Sequence, residues 1–146
     1  MLRVLLDANV YISYMLAPDA PGTIQQLMSA ALEGRYMLLL PKELLHEMSE
    51  ALLRKESLPR RTNSEDRQKL LSRFMEIAEK IETIREDIPT VTRDRKDDYL
   101  LAYAVIGNVD YLVTGDMDLL VLDPVGPVRI VRPADFLAIL SQQPHA

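Results

Sequence analysis

The 146-residue chain contains no cysteine and no tryptophan, and only two histidines and two phenylalanines. Without cysteine there is no disulfide, no thiolate nucleophile and no sulfur-ligated zinc. With His46 and His145 as the whole supply of imidazole, histidine metal sites and Ser–His chemistry have little to draw on. No apolar run approaches the ~18 residues that a membrane span requires. Met1-Leu2-Arg3 leads into a short apolar run broken by Asp7 and Asn9, with no longer stretch of the kind a secretory signal has. The expectation is a soluble cytoplasmic protein with no membrane partner. Its length suits one domain, expected over residues 1–140 with a short tail over 141–146, and 48% hydrophobic residues can fill one core.

What the chain has in quantity is carboxylate. It carries 22 Asp and Glu against 17 Lys and Arg, a net charge of −5, which argues against a protein that coats nucleic acid by charge alone. The balance is uneven, because residues 54–73 are +4, through Arg54, Lys55, Arg60, Arg61, Arg67, Lys69 and Arg73, and the remainder is −9.

Short β-type runs alternate with helical periodicity. Val4–Leu6, Met37–Leu40, Ile81–Ile84, Tyr111–Thr114 and Val128–Val131 read as strands, most of them continuously apolar as buried parallel strands are. Apolar residues at three-to-four spacing predict helices over Ile24–Leu32, Leu44–Leu53, Leu70–Ile77 and Leu100–Ile106. Pro41 suits a helix first turn, Asn63 or Ser64 a cap, and Pro133 the start of a last helix through Phe136, Leu137 and Leu140. The seven methionines read as core filler. The order predicts a three-layer α/β/α sandwich around a mostly parallel sheet.

In such a sheet, ligands gather at the carboxyl ends of the strands, and acids recur there. Asp7 follows the first strand, while Asp116 and Asp118 follow the run Tyr111–Thr114. Glu43 and Glu47 lie one helical turn apart, and Asp94, Asp97 and Asp98 precede or open the helix before that run. Singly, each has a plainer reading: a cap, a helix-dipole partner or a solvated face. Jointly, carboxylates at one sheet edge repel, a cost a fold carries when a cation neutralises them. An all-oxygen donor set selects Mg²⁺ or Mn²⁺ over zinc. Asn9 and Thr114 stand two residues from Asp7 and Asp116, placed either to orient a carboxylate or, for Asn9, to cap the first helix.

These residues resemble the PIN-domain ribonucleases. Val4-Leu5-Leu6-Asp7-Ala8-Asn9 resembles the family's opening strand; Glu43 to Leu52 resembles the helix bearing its metal-facing Glu, with Glu47 at the matching position. Asp97 to Ala104 and Tyr111 to Leu120 resemble the segments carrying the third and fourth acids, and Val128 to Leu137 the closing strand and helix. Within the family the chain looks most like the VapC-related toxins of toxin–antitoxin pairs. It departs from that branch at Ala8, where Thr is common, at Pro41, where Ser is common, and at Asp94-Arg95-Lys96-Asp97-Asp98, where Asp-Pro-Asp-Asp-Asp is common. The last departure leaves the third acid open between Asp97 and Asp98; counting back from Asp116 without gaps favours Asp98.

The resemblance implies a Mg²⁺- or Mn²⁺-dependent endoribonuclease in which Asp7, Asp98 and Asp116 hold the metal and Glu47 completes the catalytic set. Asn9, Asp97, Thr114 and Asp118 support those ligands, and Arg60, Arg61 and Arg67 clamp RNA, unless the basic stretch is a solvated helix and loop. It also implies an antitoxin partner and a homodimer. The alternatives are a catalytically silent PIN-fold module that binds RNA or protein, and a Mg²⁺-dependent phosphatase, for which Asn9 stands where a second Asp is expected.

Overall fold

The computed structural model describes residues 1–54 and 64–144. Their elements run β1 (Arg3–Leu6), α1 (Ala8–Leu16), α2 (Thr23–Leu32), β2 (Met37–Leu39), α3 (Lys42–Arg54), α4 (Ser64–Ile77), α5 (Arg95–Ile106), β3 (Tyr111–Val113), α6 (Met117–Leu120), β4 (Arg129–Val131) and α7 (Pro133–Ser141). The four strands form one parallel sheet in the order β2-β1-β3-β4, with Leu5 opposite both Leu39 and Leu112. Helices cover it as an α/β/α sandwich. From β1 the chain moves outward to β2, then crosses back to place β3 on the other side of β1. The reversal opens a crevice at the carboxyl ends of β1 and β3, the position at which parallel sheets bind ligands.

The central strands are buried on both faces, which is why their sequences are runs rather than alternations. Val4, Leu5, Leu6, Leu112 and Val113 are all fully enclosed. Around them the aromatic residues pair edge to face: Phe74 meets Tyr11 and Tyr14, each at 5.7 Å between centroids, and Phe136 meets Tyr36 at 5.1 Å and Tyr111 at 5.5 Å. The Tyr36 hydroxyl donates to the Leu27 carbonyl at 2.7 Å, so its polar end is satisfied inside the core. Only part of the methionine expectation holds. Met15, Met28 and Met48 are enclosed, but Met1, Met75 and Met117 face solvent.

The strand expected over Ile81–Ile84 is not formed. One parallel bridge joins Glu79 to Leu39, with the Glu79 N–H donating to the Leu38 carbonyl (2.8 Å) and the Leu40 N–H to the Glu79 carbonyl (3.2 Å). Beyond it, Ile81 and Ile84 both pack on the core. Their spacing of three cannot put both on one face of a strand, whose period is two. The Ile84 N–H instead donates to the Tyr103 hydroxyl at 3.1 Å.

α5 starts earlier than its apolar periodicity, because Asp94 caps it by accepting from the Lys96 N–H at 3.0 Å. Asp97 and Asp98 thereby enter the first helical turn. Pro133 opens α7 as expected, and Pro41 lies just ahead of α3, its carbonyl receiving the Leu44 N–H at 3.1 Å. Asn63 lies outside the described residues, as do Arg60, Arg61 and His145.

Candidate active site

β1 ends at Leu6, and the next residue leaves the sheet to start α1. Asp7 is that N-cap: its Oδ1 accepts the Asn9 N–H at 3.4 Å, while its own N–H donates to the Val113 carbonyl at 3.0 Å. Its Oδ2 accepts the Thr114 hydroxyl at 2.7 Å. That hydroxyl in turn accepts the Asp116 N–H at 3.0 Å, so one buried Oγ1 ties the turn after β1 to the turn after β3. Asp116 repeats the arrangement of Asp7: it caps α6, its Oδ1 accepting the Asp118 N–H at 2.9 Å. Two strand-to-helix junctions, each capped by an aspartate, thus lie side by side at the crevice.

Burial pushes the Asp7 carboxyl above its ordinary value; hydrogen bonds from Thr114 and the Asn9 N–H oppose this, and the negative charge of Asp116 adds to it. Asp97, half-buried in the first turn of α5, is pushed up to about 7 by burial, by the charge of Asp116 and a hydrogen bond with it, and by the charges of Asp7 and Asp94. Glu47, half-buried near the middle of α3, is raised by burial and by Asp7, with Lys96 and Arg54 pulling it down and Asp94 pushing it up. Burial is the first cause of the shifts of Asp7, Asp97 and Glu47, and the negative charges of Asp7, Asp94 and Asp116 add to it, so these acids share one electrostatic field. Among the described residues no three acidic or histidine side chains are drawn close enough to clasp an ion. The chemistry of the donors nevertheless fits a hard divalent cation: all are carboxylate oxygens, and a cation would offset their mutual repulsion.

Asp98, favoured over its neighbour by the gap count, does not join this cluster. Its side chain is 2% exposed and anchors the chain before α5: Oδ1 accepts the Val91 N–H (3.0 Å), the Thr92 N–H (2.8 Å) and the Thr92 hydroxyl (3.0 Å). Oδ2 lies 3.8 Å from the Arg95 guanidinium. Burial pushes the carboxyl up, but the bonds from Thr92 and Val91 and the charge of Arg95 outweigh it and hold it below its ordinary value. Consecutive residues on a helix point about 100° apart, so only one of the two aspartates can face the crevice, and that one is Asp97.

Asp118 does not face the cluster as an open carboxylate either. Both of its oxygens accept from one nitrogen, Nη2, of the exposed Arg93 guanidinium, at 2.8 and 2.9 Å. Asn9 is exposed and serves the site through its backbone N–H. Of the three arginines expected to clamp RNA, only Arg67 lies within the described residues. It is 4% exposed and so does not form the solvent-facing contact expected of it. Its position explains this: Arg67, Leu70, Leu71 and Phe74 share the inward stripe of α4 at three-to-four spacing.

Sequence reading passed over the cleft beside the acids. Glu43 accepts the Tyr103 hydroxyl, and burial together with that carboxylate pushes the phenol up to about 12. Lys96 and Tyr99, a turn of α5 apart, line the same cleft. The signal lies in the three-to-four spacing of Lys96, Tyr99 and Tyr103, but it cannot be read without knowing which face of α5 turns to α3.

A family model described as PIN domain matches residues 3–118. No curated protein sequence matches the chain significantly. Among solved structures, PAE2754 from Pyrobaculum aerophilum is similar, at 18% identity and a TM-score of 0.59 over 97% of this chain and 91% of that one, which bears on the fold. The PIN domain is generally a fold of metal-dependent nucleases. With a match over most of its length, the chain belongs to the PIN-domain family.

Proposed function

We propose that this protein is a Mg²⁺- or Mn²⁺-dependent endoribonuclease that cleaves single-stranded RNA, and that it acts in the cytoplasm as the toxin of a toxin–antitoxin pair. The observation that carries the nuclease reading is the gathering of Asp7, Asp97 and Asp116 at the β1/β3 crevice, where burial and then the charges of Asp116 and Asp7 push Asp97 up to about 7. Asp7, Asp97 and Asp116 would hold the ion. When bound, such a cation supplies Lewis-acid stabilisation to a phosphodiester and acidifies water.

The chain's own residues supply the rest. Thr114 fixes the Asp7 carboxylate through Oδ2 and holds the Asp116 backbone, so the two acids keep their spacing as charge changes in the crevice. Glu47, raised by burial and by Asp7, is suited to take a proton on its carboxylate from the attacking water. Lys96, exposed at the start of α5, offers a phosphate a positive contact beside the acids. The test is cleavage of labelled single-stranded RNA with Mn²⁺, with EDTA, and by Asp7→Asn. Cleavage abolished by both treatments is expected, and cleavage surviving both would overturn the reading.

The toxin role, the antitoxin and a homodimer rest on the resemblance to VapC-related toxins. Co-expression with the protein encoded beside it, scored for rescue of growth and a stable complex, tests the pairing. A catalytically silent RNA- or protein-binding module is the second reading, favoured by the absence of three acids at coordinating distance among the described residues. It predicts RNA binding without turnover at any Mn²⁺ concentration.

A further inference from the structure

We propose that the cleft between α3 and α5 is a nucleobase subsite: it takes one base of the RNA strand against Tyr99, with an amino-bearing edge turned to Glu43. The proposal rests on the nuclease reading and names the part of the substrate that the acids do not. The cleft has a volume of about 190 Å³, below the ~300 Å³ at which pockets for drug-sized ligands begin and suited to one flat ring. Its walls are apolar and aromatic, formed by Pro41, Leu44, Tyr99 and Leu100. The Arg95 guanidinium, which does not line the cleft, lies 5.2 Å from the centre of the Tyr99 ring and makes it a fixed platform.

Charge decides the orientation of an occupant. Glu43, Glu47 and Glu50 all line the cleft, which repels a phosphate from its interior. Glu43 spends Oε2 on the Tyr103 hydroxyl, and among the described residues Oε1 is open to accept from a donor. A base with an exocyclic amino group supplies that donor, whereas the uracil edge presents two carbonyl acceptors around a single N–H. Lys96, also lining the cleft, gives the same nucleotide's phosphate a place outside it. Glu47 belongs both to this cleft and to the field of Asp7, so a base held here carries its neighbouring phosphodiester toward the crevice. A basic side chain of a protein partner would also satisfy the acids, but it makes less use of a flat aromatic wall.

The test uses the full chain and labelled eight-nucleotide single-stranded RNAs: a mixed sequence rich in A, C and G, oligouridine, and the mixed sequence with abasic riboses. Binding is measured with Ca²⁺, and cleavage with Mn²⁺ alongside. Wild type is expected to bind the mixed RNA roughly 10-fold tighter than the abasic one, the range that stacking of one base supplies. Tyr99→Ala should erase that difference while Tyr99→Phe keeps it, and Glu43→Gln should narrow the preference over oligouridine. Equal binding of intact and abasic RNA by wild type overturns the subsite, and folding of a variant cannot mask that result. Loss of intact and abasic binding alike in Tyr99→Ala also overturns it, as does unchanged discrimination, which would point to a protein ligand. Base-dependent binding without cleavage would overturn the nuclease reading alone; cleavage without base dependence would overturn the subsite alone.

Discussion

The two ends of β1 treat charge in opposite ways. At its amino end Arg3 is surrounded by partners: its guanidinium pairs with Glu79 at 2.5 Å and donates to the Gly107 carbonyl at 2.6 Å, while its N–H donates to Asp110 at 2.8 Å. At its carboxyl end Asp7 is buried beside acids that raise it. One end joins strand, helix end and loop by complementary charge, and the other concentrates like charge that folding alone would select against. A small sheet can hold such an unfavourable cluster when the surrounding packing over-determines it, and here the enclosed β1 and β3 fix both capping aspartates.

Asp7→Asn should break the comparison most severely, lowering metal-dependent RNA cleavage by about 100-fold or more, since even residues that merely support a metal ligand cost ~10–100-fold. Without metal its melting temperature should equal or exceed wild type, because a repelling charge has gone. A large loss of stability would show that Asp7 acts as a structural cap only. The neighbouring aspartates provide a sharper contrast. Asp97→Asn should lose metal affinity, measured by calorimetric titration with Mn²⁺, and keep its fold; Asp98→Asn should keep Mn²⁺ affinity and melt earlier, as the Val91–Thr92 anchor weakens. The reverse pattern would restore Asp98 as the ligand.

At the quiet end, Gly107→Ala should destabilise by about 1–3 kcal/mol in urea unfolding. A Cβ there would lie 2.3 Å from a Leu39 methyl and 2.8 Å from the Tyr103 carbonyl oxygen, and the backbone of α5 cannot give way. An unchanged midpoint would mean that the contact between α5 and β2 is loose. The acid end should also respond to pH. Asp97 is raised in the folded state to about 7 from an ordinary 3.8, so the folded chain holds its proton over a range in which the unfolded chain has released it. Its contribution to the metal-free protein is fully present below the lower value and is lost as pH rises through the higher one. Melting temperature should therefore fall between about pH 4 and 7, by less in Asp97→Asn. Equal slopes in the two proteins would remove Asp97 from the cluster. The smallest effect, up to about 1 kcal/mol, is expected for Arg3→Ala, whose ion pair is partly exposed and screened by solvent.

Much of this architecture was legible because it rests on local chemistry. The runs at Val4–Leu6 and Tyr111–Val113 are apolar without alternation, which only a strand covered on both faces requires, and each is followed by an aspartate able to cap a helix. The structure departs from local chemistry where two local signals compete. Ile81–Ile84 has strand-like residues but a spacing that no strand face accepts. Arg67 is basic, which suits an RNA contact, and also stands in the stripe with Leu70 and Phe74, which suits burial, and packing selects the second.

By itself, then, the sequence determined the class of fold and the recurrence of acids after its strands, because periodicity and strand ends are set within a few residues. Only the tertiary structure set Asp97 toward Asp116 and Asp98 against Val91 and Thr92, brought Glu47 into the field of Asp7, and placed α3 beside α5 to make the Tyr99 cleft. Those outcomes depend on how a helix is rotated about its axis. A rotation of one residue exchanges the side chain that faces the crevice for the one that anchors the loop, and that rotation is set by packing against distant segments.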